Sequence, residues 1–139
     1  KRMARDYITK NTKILKTSII GFEKNTKYSF LEWFLNSECR VNGFTNQFWN
    51  GNTTLEWTKW AEKLILDWDN FKNITILSNP DCLSKYDILL KIRRIFDKEI
   101  EIVPTESPIF KNNCMKGDYV TPDLVNQIIV MKYFYEQIR

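Results

Sequence analysis

The sequence predicts an α/β fold with a parallel component, and three observations carry that expectation. Short, β-branched apolar runs alternate with segments of helical periodicity, in the order β, α, short β, α, β, α, β, loop, α. The first of these runs, Ile14 to Gly21, is short, mostly apolar and stopped by glycine, the pattern of a strand buried on both faces as in parallel sheets. Finally, 43% of the 139 residues are hydrophobic and 14% aromatic, enough for one sizeable core in a single domain.

Residues Lys1 to Lys10 read as the end of a helix, with Met3, Ala4 and Tyr7 on a weak apolar face. The strand Ile14 to Ile20 follows, stopped by Gly21. Ser29 to Asn36, "SFLEWFLN", forms a short helix with Ser29 as N-cap and Glu32 completing a capping box. Val41 to Phe44 is a short extended piece at best. From Thr54 to Trp68, Leu55, Trp57, Ala61, Leu64, Ile65 and Trp68 recur at helical spacing. Ile74 to Leu77 is a second short strand.

In "LSKYDILLKI", Ser84 caps a helix, Asp87 reaches back as a short-armed capping-box acid, and Leu83 and Ile88 stand where a hydrophobic staple puts them. Glu99 to Val103 is a strand ended by Pro104. Pro104 to Val120 reads as a long ordered loop or a pair of turns. Pro122 then precedes a helix over Leu124 to Ile138.

Several chemistries are excluded. The net charge of +4 is scattered, with no basic cluster of the nucleic-acid or membrane type. There is no histidine, and so no Ser-His or Cys-His nucleophile. Gly21, Gly43, Gly51 and Gly117 match neither a P-loop nor a dinucleotide fingerprint. The pairs Asp67 with Asp69 and Glu99 with Glu101 read as solvated surface. No metal site is expected: Cys39, Cys82 and Cys114 are far apart in sequence and read as free thiols in a reducing cytoplasm, Cys114 being inert. No apolar run approaches eighteen residues, and no signal peptide is read at the N-terminus. The triplets at Asn52 and Asn73 read as chance matches to a glycan acceptor.

One stretch stands apart. Thr45 to Thr54, "TNQFWNGNTT", sets four amides, two aromatic rings, a glycine and threonines together without a charge. It is either a turn on Asn50-Gly51 with Phe48 in the core, or a wall able to hydrogen-bond and stack against something hydroxylated.

Taken in order, "ILKTSIIGFE", "SFLEWFLNSECRVNGFTNQFWNGNTTLEW" and "LSKYDILLKI" resemble the C-terminal half of extended short-chain dehydrogenases/reductases, nearest the dTDP-4-dehydrorhamnose reductase branch, over Lys1 to about Tyr135. The resemblance implies the C-terminal portion of a Rossmann-type reductase, with the N-terminal dinucleotide-binding half missing. Residues 1–21 and 73–97 would be sheet-side elements, and 22–72 and 98–139 a substrate-binding lobe with the C-terminal helix. No tyrosine here has a lysine four residues on, so the family's Tyr-x-x-x-Lys is not contained in the chain. The opening Lys1-Arg2-Met3-Ala4-Arg5 is similar to the family's continuation from the motif lysine, except at Arg5, which makes Lys1 the possible motif lysine.

The resemblance further implies that Thr17 and Ser18 lie near cofactor and sugar; the plainer alternative is two hydroxyls satisfying backbone groups at a strand end. It also implies that Asn46, Gln47, Trp49, Asn50 and Thr53 line a sugar-nucleotide pocket. The intact parent would use NAD(P)H on a nucleotide sugar, while this chain alone would bind no cofactor tightly. It would be cytoplasmic, inactive alone, and through its unpartnered strand a possible homo-oligomer. The alternative is a non-catalytic binding or regulatory subunit of the same superfamily.

Overall fold

The computed structural model describes residues 11–24 and 26–138. Lys1 and the helix expected over Lys1 to Lys10 lie outside them. Among the described residues, four helices and ten short strands form a mixed α/β architecture in which five of the six strand pairings are parallel.

The first sheet joins β1 (Ile14–Lys16), β6 (Ile74–Ser78) and β10 (Tyr119–Val120), all parallel, with β6 central. β2 (Ile19–Ile20) pairs with β5 (Asn52–Thr53), and β3 (Arg40–Phe44) with β8 (Glu101–Thr105). β4 (Gln47–Trp49) lies between β7 (Leu83–Ser84), its antiparallel neighbour, and β9 (Lys111–Asn112), its parallel one.

The expected strand Ile14 to Ile20 is two strands serving two sheets. It breaks at Thr17 and Ser18 because those residues turn to β5: the Ser18 carbonyl accepts from Asn52 N–H at 2.8 Å, and Thr17 Oγ1 from Asn52 Nδ2 at 2.8 Å. Nor is the run buried on both faces, since Ile20 is buried and Ile19 is 55% exposed. Val41 to Phe44, expected to be marginal, belongs to the longest ladder, paired with β8 over five residues from Arg40↔Glu101 to Phe44↔Thr105. Pro104 does not end that strand. Among the described residues β8 has β3 as its one strand neighbour, so a residue without an N–H sits at the sheet edge without breaking a ladder.

The helices obey local chemistry. α1 (Phe30–Asn36) starts at Ser29, whose Oγ accepts from Glu32 N–H at 3.3 Å. The Glu32 carboxylate accepts from Glu23 N–H rather than closing a reciprocal box. α2 (Thr54–Leu66) is capped by Thr53 and ends before a single 3₁₀ turn at Trp68–Asn70. α3 (Lys85–Ile95) is capped by Ser84, which accepts from Asp87 N–H at 3.1 Å and donates its own hydroxyl to the Asp87 carboxylate at 2.6 Å. α3 closes with Asp97 at φ 47° and Lys98 N–H donating to the Arg93 carbonyl at 3.0 Å, a Schellman ending with aspartate where glycine is usual. α4 (Leu124–Ile138) begins as expected, with Asp123 accepting from Asn126 N–H at 3.0 Å.

The core lies where α1, α3 and α4 meet β3 and β8. Leu31 and Phe34 of α1, Ile88, Leu89 and Ile92 of α3, and Leu124, Ile128 and Met131 of α4 are all buried there. A second apolar contact joins α2 to the β1-β6-β10 sheet through Trp60, Phe71 and Tyr119, with ring centroids 5.0 Å apart for Trp60 and Tyr119 and 5.6 Å for Phe71 and Tyr119.

The expectation of three free thiols is corrected. Cys82 and Cys114 form a disulfide, leaving Cys39 as the free, exposed cysteine. Sequence spacing concealed the pair because 32 residues separate its members, brought together when β9 lays the 106–118 segment against β4. Closing a loop of that length restricts the unfolded chain by about 4 kcal/mol. Reduction, or Cys82→Ser, is expected to lower the unfolding free energy by about that amount in urea titrations; an unchanged midpoint would contradict the bridge.

The same segment is tied down further along. Asp118 accepts from Lys72 Nζ at 2.7 Å and from Ile76 N–H at 2.9 Å, and both bonds, with the lysine charge, hold its carboxyl below the usual aspartate range. A depressed carboxylate contributes stability that is present above its unfolded pKa and lost as pH falls through the folded one. Asp118→Asn should therefore be less stable than the parent at pH 6, with the gap closing in thermal melts as pH falls below the ordinary aspartate range.

Candidate functional site

An open, mostly apolar cleft of about 170 Å³ lies where β2, α1, β4 and α3 converge, lined by Ile19, Ile20, Phe30, Trp49, Lys85 and Ile88. Trp49 is fixed within it. Its indole Nε1 donates to Ser18 Oγ at 2.7 Å, and the ring passes over Gly51, where a Cβ would collide with both the indole and the Ser18 carbonyl oxygen. Glycine is therefore required at 51 by close approach rather than by turn geometry.

Much of the rest of "TNQFWNGNTT" faces inward. Gln47, Asn50, Asn52 and Thr53 are all buried. Asn46 makes a two-way bond with Ser107, its Nδ2 donating to the carbonyl at 2.8 Å and its Oδ1 accepting the N–H at 2.9 Å. Gln47 donates to Ser107 Oγ at 2.7 Å. Asn50 does to Met115 what Asn46 does to Ser107, at 2.8 and 2.7 Å, and also donates to the Asn79 carbonyl. Asn46 and Asn50 thus hold the backbone of the 107–115 segment on either side of the β4-β9 pairing.

Asn52 ties the stretch to other elements. Besides donating to Thr17, its Oδ1 accepts from Thr121 Oγ1 at 2.5 Å and from Gln127 Nε2 at 3.0 Å. Gln127, on α4, in turn accepts Thr53 N–H at 2.9 Å and donates to the Pro122 carbonyl at 2.6 Å. Among the described residues no buried side-chain nitrogen or oxygen lacks a partner.

The structure thus brings Thr17, Ser18, Trp49, Asn50 and Thr53 into one connected region around β2 and β5, with Asn46 and Gln47 at its β9 side. Of these, Trp49 lines the cleft. The Thr17 hydroxyl is committed as donor to the Ser18 carbonyl and as acceptor from Asn52. Ser18 Oγ accepts from Trp49 and keeps its own proton uncommitted among the described residues. Sequence reasoning missed Lys85 and Phe30 in the cleft and Gln127 and Thr121 in the network. Lys85 had a visible signal: a lysine at the first helical position opposes the helix dipole. Gln127 had none, since its partner lies 75 residues away.

The described residues do not build a dinucleotide cradle. Each glycine is taken up by a close approach inside the fold, Gly21 against Thr54, Gly43 against Tyr86, Gly51 against Trp49 and Gly117 against Ser78. No group of three metal-ligating residues occurs among them either, and no helix is long and apolar enough to cross a membrane.

With fold and cleft in view, the chain proves similar to solved reductases. No family model and no curated protein matches its sequence. Among solved structures it is similar to the dTDP-4-dehydrorhamnose reductase of Clostridium acetobutylicum, with a TM-score of 0.67 and 15% identity over 88% of this chain and 48% of that one. It is similar to that of Yersinia enterocolitica, with a TM-score of 0.68 and 13% identity over 94% and 52%. It is also similar to that of Bacillus anthracis in complex with NADP, with a TM-score of 0.74 and 12% identity over 87% and 47%. At these identities the likeness is one of fold, that of Rossmann-type reductases, and the chain spans about half the length of the structures it matches.

Gln127 offers a test of the network. Gln127→Ala leaves the buried Thr53 N–H and one Asn52 lone pair without their partner, an expected cost of about 2 to 3 kcal/mol in chemical unfolding. A loss below about 0.5 kcal/mol would mean that α4 is held by apolar packing alone.

Proposed function

We propose that this chain is the substrate-side, C-terminal half of an NAD(P)-dependent sugar-nucleotide reductase of the dTDP-4-dehydrorhamnose reductase kind, inactive alone. The observation that carries the reading is fold likeness over about half of three such enzymes, together with a cleft walled by an anchored tryptophan. A flat ring with a fixed orientation stacks on a base or sugar, and Ser18 has a hydroxyl proton to give to a sugar oxygen. Asn46, Gln47, Asn50, Thr53 and Thr17 support that wall from behind by holding β4, β5 and the 107–115 segment in place.

Hydride chemistry would come from NAD(P)H bound by a separate dinucleotide-binding half, with Lys1 as the motif lysine. β1 supports a separate half, because among the described residues it pairs with β6 alone and presents a second strand edge on which a further parallel strand fits. The same edge, left open, would pair copies of this chain. A second reading, a non-catalytic binding or regulatory subunit, is favoured by one observation: no tyrosine in the 139 residues is followed by lysine at the fourth position.

Calorimetry separates these from unrelated functions. The chain is expected to bind dTDP-sugars with quenching of tryptophan emission, lost in Trp49→Ala, and to show no heat with NADPH. Tight NADPH binding would overturn the half-reductase reading, and failure of every nucleotide sugar to bind would overturn both.

A further inference from the structure

Lys85 is an anomaly of the cleft. Its side chain is half-buried among apolar walls, and among the described residues it has no carboxylate and no hydrogen-bond acceptor. Its recorded neighbour is the face of Phe44, with the ring centroid 5.9 Å from Nζ. Burial, and then the positive charge of Lys111 on β9, push its amine below the usual lysine range. It also stands at the first residue of α3, where the helix end itself is partially positive. Three effects therefore oppose a cation where one is placed. Other lysines here find partners: Lys72 has Asp118, Lys98 the Leu35 carbonyl and Lys132 the Ile95 carbonyl.

A half-buried cation without a counterion among the described residues, within range of the Lys111 charge, is the electrostatic complement of a ligand carrying more than one negative charge. We propose that Lys85, assisted by Lys111, holds the diphosphate of a nucleoside-diphosphate ligand whose ring system packs against Trp49 and Phe30. The inference rests on the reading of the cleft as the ligand site and adds the group that fixes the ligand's polarity within it. The two amines come from different elements, α3 and β9, and β9 is held against β4 by the Asn46 backbone carbonyl, which accepts Lys111 N–H at 3.2 Å.

The test uses the full chain with three probes: thymidine diphosphate, thymidine and inorganic pyrophosphate. Lys85→Gln should weaken thymidine diphosphate and pyrophosphate about tenfold or more in calorimetry while leaving thymidine unchanged, and Lys85→Arg should restore the diphosphate to within about threefold. Lys111→Gln should give a smaller loss and a shallower salt dependence. Circular dichroism of each variant confirms that α3 is intact. Mapping amine acetylation adds a second readout, since pyrophosphate should slow acetylation of Lys85 more than that of Lys24 or Lys91. If Lys85→Gln binds thymidine diphosphate as tightly as the parent, the inference is overturned while the cleft reading stands. If the parent binds thymidine but neither diphosphate, the result is the same; if it binds none of the three, both fall.

Discussion

The structure depends on one buried amide. Asn52 is fully buried, and its side chain alone connects the break between β1 and β2, the approach to α4 and α4 itself, through Thr17, Thr121 and Gln127. Its backbone N–H meanwhile extends the β2-β5 pairing to Ser18. These pieces are short strands and loops with few apolar residues to hold them, so hydrophobic burial does not specify their arrangement. A satisfied polar network in a low-dielectric interior does, because each member left unpaired costs more than a well-made bond contributes.

That division explains what the sequence discloses. Helices α1, α2, α3 and α4 were legible because their determinants are local: Ser29, Ser84 and Pro122 mark starts, and apolar spacing marks faces. The α/β class was legible from alternation. What remained hidden is non-local. Thr17 and Ser18 look like part of an apolar strand until the partner that breaks it is known, and Asn50-Gly51 looks like a turn until Trp49 and Ser18 are seen to close over the glycine. The Cys82–Cys114 bridge depends on β9 docking, which nothing near either cysteine announces.

The amide-rich stretch illustrates the limit best. Composition left open whether it was a turn or a wall, and the geometry assigns its parts separately. One residue, Trp49, faces the cleft; Asn46 and Asn50 are turned to the backbone of the 107–115 segment, Gln47 to the Ser107 hydroxyl, and Asn52 to Thr17, Thr121 and Gln127. A wall of this kind is stiff. Its recognition surface is a ring, and its hydrogen-bonding capacity is largely engaged in keeping that ring where it is.

The parallel pairings have a kinetic side. Ile14 meets Ile74 and Arg40 meets Glu101, each about sixty residues away, and among the described strands no pair is joined by a tight hairpin. Such a chain forms its helices early and closes its sheets late, because long-loop entropy must be overcome before any ladder bond forms. During that interval the strand edges and the exposed Ile65 and Leu66 of α2 are all available to other chains. Yield on refolding should therefore be governed by concentration more than by final stability, and a disulfide that spans the last segment to dock would be the natural marker of molecules that have finished.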